Sequence, residues 1–268
     1  MKLVLAEKPS VAQSIAKVLG ATKREDGYLE GNGYVVSWCV GHLVELSQPE
    51  AYDEKYSKWT YADLPIFPER WKYQVSASTK KQFGILKKLM ARKDVESLVC
   101  ATDAGREGEL IFRLVYHQCG CEKPFERLWI SSMEDSAIRE GFEQLKPSTE
   151  YDALYEAALC RERADWLVGI NATRLFSTLY GQTLNVGRVM TPTLAMVVMR
   201  EAAISAFKPE PFCSVELTLQ DFTASSERIK EKARANEVCR NCVGSVLTVT
   251  KAESKEKSER PPALYDLT

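Results

Sequence analysis

Two acids, each released at the end of an apolar run, and a lysine beside one of them carry the chemistry this sequence offers. The run Lys2-Leu-Val-Leu-Ala-Glu7 is a short strand that hands Glu7, and Lys8 after it, into a turn at Pro9. The run Ser97-Leu-Val-Cys-Ala-Thr-Asp-Ala-Gly-Arg-Glu-Gly-Glu109 does the same for Asp103, with Gly105 in the turn and Glu107 opening a helix. In an open parallel sheet, ligands collect outside the carboxyl ends of the strands. Two strands that each release an acid there predict one acidic cluster at the sheet edge. Clustered carboxylates repel unless a cation or a proton intervenes. Mg2+ is the expected cation, because it takes oxygen ligands and keeps waters that face phosphate. In the alternative, one carboxyl keeps a raised pKa and serves as a general acid. Lys8 adds a point charge able to hold a non-bridging phosphate oxygen. An acid after a strand is also a common helix cap or dipole partner. The pairing of two strand ends with an adjacent lysine is what turns the reading towards phosphate.

The elements that position these residues alternate over the first 150 residues. Strands are expected at 2–7, 34–40, 98–102 and 127–130, and helices at 9–19, 79–90, 107–117 and 134–145. Pro9 starts the first helix and Gly20 follows its end, Gly31-Asn-Gly33 reads as a hairpin turn, and residues 48–70 read as a long irregular loop. Such alternation argues an α/β fold, a mainly parallel sheet with helices on both faces. From residue 151 helix follows helix, at 152–170 with a continuation over 173–180, and at 192–203. Lys208-Pro-Glu-Pro211 breaks the pattern, and 212–219 and 245–251 then alternate as a small antiparallel pair separated by a charged helix near 227–236. The expected domains are residues 1–150, 151–208 and 209–268.

In the helical part, Arg161 and Asp165 share a helix face, while Arg163 is turned about 200° from Arg161. Thr191, Pro192 and Thr193 make a helix start, and helix N-termini favour phosphate through free amides and dipole. Arg188 lies just upstream, free to reach a backbone or stack on a base.

The net charge of −1 hides a block from Arg70 to Lys93 with eight basic residues and no acid, which reads as a phosphate-attracting surface or a solvated helix face. No apolar run approaches the roughly 18 residues that span a bilayer, so a cytoplasmic protein without a membrane partner is expected. Eight cysteines without framework spacing argue reduced thiols. Cys239-Arg-Asn-Cys242 lacks a second pair to complete a zinc site, and no Walker motif implies ATP.

Leu5-Ala-Glu-Lys-Pro-Ser10 with Ala101-Thr-Asp-Ala-Gly-Arg-Glu-Gly-Glu109 resembles the Toprim domain of type IA DNA topoisomerases, in the topoisomerase III branch. Val40-Gly-His-Leu43, Leu128-Trp-Ile-Ser-Ser132, Ala137-Ile-Arg139, Arg163-Ala-Asp-Trp-Leu-Val-Gly-Ile-Asn171 and Val186-Gly-Arg-Val-Met-Thr-Pro-Thr193 resemble the same branch, in family order. The closing run Pro261-Pro-Ala-Leu-Tyr-Asp-Leu-Thr268 resembles it as well. The resemblance implies a Toprim-type sheet, a helical DNA-binding part and the opening strands of an arch domain. It implies ATP-independent cleavage of one DNA strand, passage of another, and resealing, on single-stranded or negatively supercoiled DNA, by a monomer.

Carried over by position, Glu7 assists proton transfer and Lys8 steadies the scissile phosphate. Asp103 and Glu107 are the first and last acids of an Asp-x-Asp-x-Glu motif that binds Mg2+ together with Glu7. Gly105 stands where the motif has its second aspartate, which weakens metal binding or shifts it to water-mediated contacts. Arg161, Arg163 and Asp165 gain a DNA role, Arg161 foremost, and so do Arg188, Thr191 and Thr193, with Met190 in place of the usual glutamine.

The family's nucleophile is a tyrosine followed by Pro-Arg-Thr or a close variant, whereas Tyr180 precedes Gly-Gln and Tyr265 precedes Asp-Leu. The expectation is an N-terminal piece that binds DNA and metal without cleaving, its tyrosine lying beyond Thr268. Two rivals are another Toprim enzyme, primase-like or nuclease-like, and a non-catalytic DNA-binding module. The helical block from Arg161 to Thr193 speaks against both.

Overall fold

A computed structural model of the chain describes residues 1–220, 222–246 and 248–262. The elements run β1 (Lys2–Ala6), α1 (Pro9–Leu19), β2 (Lys23–Glu25), β3 (Tyr28–Gly31), β4 (Tyr34–Trp38), β5 (Val44–Leu46), β6 (Tyr73–Val75), α2 (Lys80–Met90), β7 (Ser97–Ala101) and α3 (Arg106–Gln118). They continue with β8 (Phe125–Arg127), α4 (Asp135–Glu143), β9 (Lys146–Pro147), α5 (Asp152–Tyr180), α6 (Met190–Ser205), β10 (Glu216–Thr218), β11 (Thr223–Ser225) and α7 (Lys232–Cys242). Two compact units result, Met1–Thr193 and Leu194–Thr268.

The first unit is built on a seven-stranded sheet of order β2-β3-β4-β1-β7-β8-β9. Its four central strands pair in parallel, β4 with β1, β1 with β7 and β7 with β8, while the edges are antiparallel. Strand alternation sorts the core into two layers. Leu3, Leu5, Val35, Leu98 and Cys100 face Phe83 and Leu86 of α2, Leu110 and Leu114 of α3 and Ala158 and Leu159 of α5. Val4, Ala6, Val36, Val99 and Ala101 face Ala12 and Ile15 of α1 and Ile138 of α4. A sheet covered on both faces needs near-continuous apolar strands, which is what β1 and β7 supply.

Local signals explain the joints. Pro9 opens α1, and Gly20 closes it in the left-handed region at φ 76°. Asn32 and Gly33 both take positive φ, 48° and 79°, as a two-residue turn between β3 and β4 demands. The irregular stretch expected at 48–70 is pinned onto α5: the Asn171 side chain exchanges hydrogen bonds with the backbone of Ile66, and the Trp166 indole donates to Ser47 O. These contacts bring residues 151–193 into the same unit as the sheet.

Four expectations shift. The strand expected at 127–130 lies earlier, as β8. The helix expected at 152–170 with a continuation over 173–180 is one unbroken helix, α5, with residues 171–172 included. In the second unit β10 pairs antiparallel with β11, and the charged helix α7 follows this pair instead of separating its strands. Residues 245–246 and 248–251 form no strand; Leu247 and residues 263–268, where the closing family-like run falls, lie outside the described residues.

Candidate active site

Parallel pairing sets the site. The register of β1 on β7 places Ala6 beside Ala101, so Glu7 and Asp103 leave the sheet at neighbouring points of one edge. The backbone amide of Asp103 donates to Glu7 Oε2 at 3.2 Å. The Lys8 ammonium donates to Asp103 Oδ2 at 3.2 Å and lies 3.9 Å from Glu7 Oε1. Glu7 is mostly covered, with 13% of its side chain exposed, whereas Asp103 and Lys8 are half exposed. Burial, and then the Asp103 charge, raise the Glu7 pKa above the ordinary carboxylate value; the Asp103 amide, Lys8 and His42 pull it down less strongly. The Lys8 pKa is raised, chiefly by its hydrogen bond to Asp103. The edge therefore brings together a mostly covered carboxyl whose pKa is raised, a half-exposed second carboxyl and an ammonium held between them.

Glu107 does not join this pair. It sits in the first turn of α3, and its carboxylate faces His42 Nε2 at 3.8 Å and the Nε atoms of Arg106 and Arg161 at 4.0 Å each. Among the described residues no three His, Cys, Asp or Glu side chains stand close enough to ligate one ion. Glu7 and Asp103 suit a cation that takes one or two carboxylates and keeps its waters, which is the habit of Mg2+; a three-carboxylate site including Glu107 is not assembled. The Gly105 position is open: a Cβ there meets nothing within 4 Å, and the backbone is extended at φ 179°. The missing acid is thus not excluded by space or backbone.

The helical arginines separate as their spacing requires. Arg161 points to Glu107 and to Asp165 at 3.9 Å, at the sheet edge. Arg163 turns away and lays its guanidinium over Trp71, 5.6 Å from the ring centre. The structure does not bring Arg163 to the acids. Arg188 grips Asp165 with two bonds, Nε to Oδ1 at 2.7 Å and Nη2 to Oδ2 at 3.2 Å. A run of alternating charge, Glu107, Arg161, Asp165, Arg188, with His42 facing its first member, therefore leads along α5 to the loop before α6.

The helix-start reading for Thr191 and Thr193 needs correction. The helix begins at Met190, and the amides expected to be free are used: Thr191 N donates to Gly187 O and Thr193 N to Val189 O. The hydroxyls are engaged too, Thr191 Oγ1 accepting from Gly187 N and Thr193 Oγ1 donating to Val189 O. Both residues remain exposed.

His42, which the sequence reading did not place at the site, is 44% exposed and faces Glu107. The signal was available: β4 pairs in parallel with β1, so the residues after Trp38 emerge at the edge that carries Glu7.

Residues 2–133 match the Toprim domain family, and residues 149–268 match a family described as DNA topoisomerase. The chain is 46% identical over 274 residues to DNA topoisomerase 3 of Bacillus cereus, an alignment that takes in 99% of the chain and 37% of that protein. It is 45% identical over 273 residues to DNA topoisomerase 3 of Bacillus subtilis, across 99% of the chain and 38% of the relative. The chain thus spans somewhat over a third of these relatives' length. Among solved structures, full-length topoisomerase I from Thermotoga maritima superposes with a TM-score of 0.61 at 20% identity, covering 88% of the chain and 37% of that protein. That likeness concerns the fold.

Proposed function

Because the chain belongs to the type IA DNA topoisomerases, in the topoisomerase III branch, we propose that it supplies the acid–base and phosphate-holding half of an ATP-independent strand-cleaving site. DNA is the partner that the related topoisomerases imply, and single-stranded or negatively supercoiled DNA is the substrate proposed. One observation carries the reading: Glu7, Lys8 and Asp103 converge on a single solvent-facing point at the end of two parallel strands.

In this reading Lys8 binds a non-bridging oxygen of the scissile phosphate, where a fixed cation acts most strongly as negative charge builds in the transition state. Glu7, whose pKa is raised by burial and by the Asp103 charge, lies 3.9 Å from the Lys8 ammonium and is the proposed donor of a proton to the leaving 3′ oxygen. Asp103 keeps Lys8 charged and oriented. Toprim-domain topoisomerases generally use a divalent metal; Mg2+ would be held by Asp103 and, once it has given up its proton, by Glu7, and would bring positive charge and ordered water to the phosphate. The tyrosine that forms the 5′-phosphotyrosine bond is proposed to come from outside these residues, since none of the tyrosines here precedes Pro-Arg-Thr.

Arg161, Asp165 and Arg188 are proposed to guide the strand into the site, Thr191 and Thr193 to touch it through side chains, and Arg163 to act only by packing against Trp71. The proposed partition is a Toprim domain over 1–150, a helical DNA-binding part over 151–208 and arch strands over 209–268. A monomer acting in the cytoplasm belongs to the same proposal; no helix among the described residues is long and apolar enough to cross a membrane.

The test is relaxation of negatively supercoiled plasmid by the full-length protein with Mg2+ and without ATP, together with trapping of a protein–DNA adduct by denaturant. Nucleotide incorporation, or cutting that leaves no covalent adduct, would sink the assignment.

A further inference from the structure

The chain holds a fully buried arginine that none of the chemistry above uses. Arg127, in β8, has no exposed surface. Its Nη1 lies within hydrogen-bonding distance of three carbonyl oxygens, those of Cys100 at 3.0 Å, Thr102 at 2.8 Å and Leu128 at 2.9 Å. Its Nη2 donates to the carbonyl of Asp103 at 2.7 Å. Glu109, equally buried, supplies the counter-charge: Oε2 lies 3.0 Å from Arg127 Nε, a charge contact without the alignment of a hydrogen bond, and Oε1 accepts from Arg113 Nε at 2.7 Å.

A buried ion pair is weak evidence for stability, because desolvation offsets most of its attraction and an apolar pair of similar volume often serves as well. What distinguishes this one is where its donors go. The strand β7 ends at Ala101, and the next carbonyls, those of Thr102 and Asp103, have left the ladder. Both are held by one rigid guanidinium, whose planar fork fixes direction as well as distance. From the opposite side α3 closes on the same turn. A Cβ on Gly108 would stand 2.1 Å from the Asp103 carbonyl oxygen, so only glycine lets the helix approach so closely. The Thr102 hydroxyl donates to Gly108 O at 2.7 Å and ties the two ends of the turn together. The Asp103 backbone is thus immobilised although its side chain is half exposed.

We propose that Arg127 is a positioning residue of the cleavage site: a buried clamp, balanced by Glu109, that fixes the Asp103 turn and through it the arrangement of Glu7 and Lys8. The inference rests on the proposed function in taking Asp103 as part of the cleaving site. It concerns only the backbone that carries Asp103, so loosening it should disturb cleavage far more than DNA binding, which is spread along α5 and the loop before α6.

The test uses Arg127→Lys in the full-length protein. Lysine keeps the charge opposite Glu109 but cannot span the carbonyls of Thr102 and Asp103 together. Amide hydrogen exchange should rise about tenfold or more over residues 102–107 and stay unchanged in α1 and α5. The cleavage rate on a single-stranded oligonucleotide should fall about 10- to 100-fold, the loss expected of a displacement near 1 Å, while the dissociation constant stays within about twofold. If Arg127→Lys does not fold, Thr102→Val removes the opposing tie and should show the same split at about a third of its size on a logarithmic scale. Unchanged exchange over 102–107, or loss of cleavage and binding in step with melting, would overturn the clamp. So would cleavage at the unsubstituted rate despite faster exchange. If the unsubstituted protein forms no cleavage adduct, the proposed function fails, and the exchange measurement by itself decides whether Arg127 holds the turn.

Discussion

Replacing Lys8 by methionine should push metal binding and catalysis in opposite directions. The ammonium lies 3.2 Å from Asp103 Oδ2 and 3.9 Å from Glu7 Oε1, with 56% of the side chain exposed. Exposed pairs of this kind contribute about 0.2–1 kcal/mol to folding, so the melting temperature should barely move. The same cation opposes a divalent ion bound to those two acids. At about 5 Å in a water-like dielectric the repulsion is about 1.7 kcal/mol, or roughly tenfold to twentyfold in affinity, shrinking as salt screens it. Lys8→Met should therefore bind Mg2+ more tightly at low salt. The cleavage rate should nevertheless fall about 10²- to 10³-fold, the usual cost of removing one donor aimed at developing charge. Calorimetric titration with Mg2+ and rapid-quench cleavage of an end-labelled oligonucleotide by the full-length protein measure both. Mg2+ affinity that is unchanged or weaker would show that Glu7 and Asp103 are not the cation site. Cleavage within about threefold of the unsubstituted rate would show that Lys8 does not hold the phosphate.

Gly105→Asp places a third acid in open space on an extended backbone; it should fold normally and tighten Mg2+ by about tenfold, and a titration showing no gain would place the ion elsewhere. Arg188→Ala should weaken single-stranded DNA binding and lower the magnitude of its log K against log salt slope by about 0.7, the value for one phosphate contact on a single strand. An unaltered slope would mean that Arg188 stays on Asp165 when DNA binds. Glu162, partly buried beneath the Tyr73 hydroxyl, has its pKa raised by burial. A raised carboxylate pKa favours the folded state while the group is protonated in both states, and that advantage is lost as pH rises through the folded value. Glu162→Gln should accordingly melt with a weaker pH dependence above about pH 4.5 and higher than the parent near neutrality; parallel melting curves would refute the burial argument.

The acidic edge was legible because its cause is short-range. An apolar run of five residues ending in Glu7, and another ending before Asp103, can be read one at a time, and parallel pairing then brings them level without further information. Pro9, Gly20 and the Asn32-Gly33 turn were legible for the same reason: each is a backbone constraint written in a single residue type. The hairpin of β2 and β3 escaped notice because Lys23-Arg-Glu25 is charged and carries no alternation, its pairing being set by the Asp26-Gly27 turn. In the second unit the alternation at residues 246–250 read as more strand-like than Thr223-Ala-Ser225, yet the latter, nearer in sequence, is the partner of β10.

The site residues divide along the same line. Helical spacing foretold that Arg161 and Arg163 would diverge, and they do, but not that Arg161 would meet Glu107, since that contact joins α5 to α3 across more than fifty residues. The amides of Thr191 and Thr193 misled because Pro192 marks a helix start only to within a turn; with Met190 already helical, those donors are used. Arg127 is the instructive case. In sequence it is a charged residue beside a short apolar run, indistinguishable from a solvated strand end. Its burial follows from a parallel strand β8 laid against the end of β7, where two carbonyls left outside the ladder require donors. A sequence announces the groups that meet a ligand more readily than those that hold them still, because the former sit where strands end, while the latter are defined only by what the strands enclose.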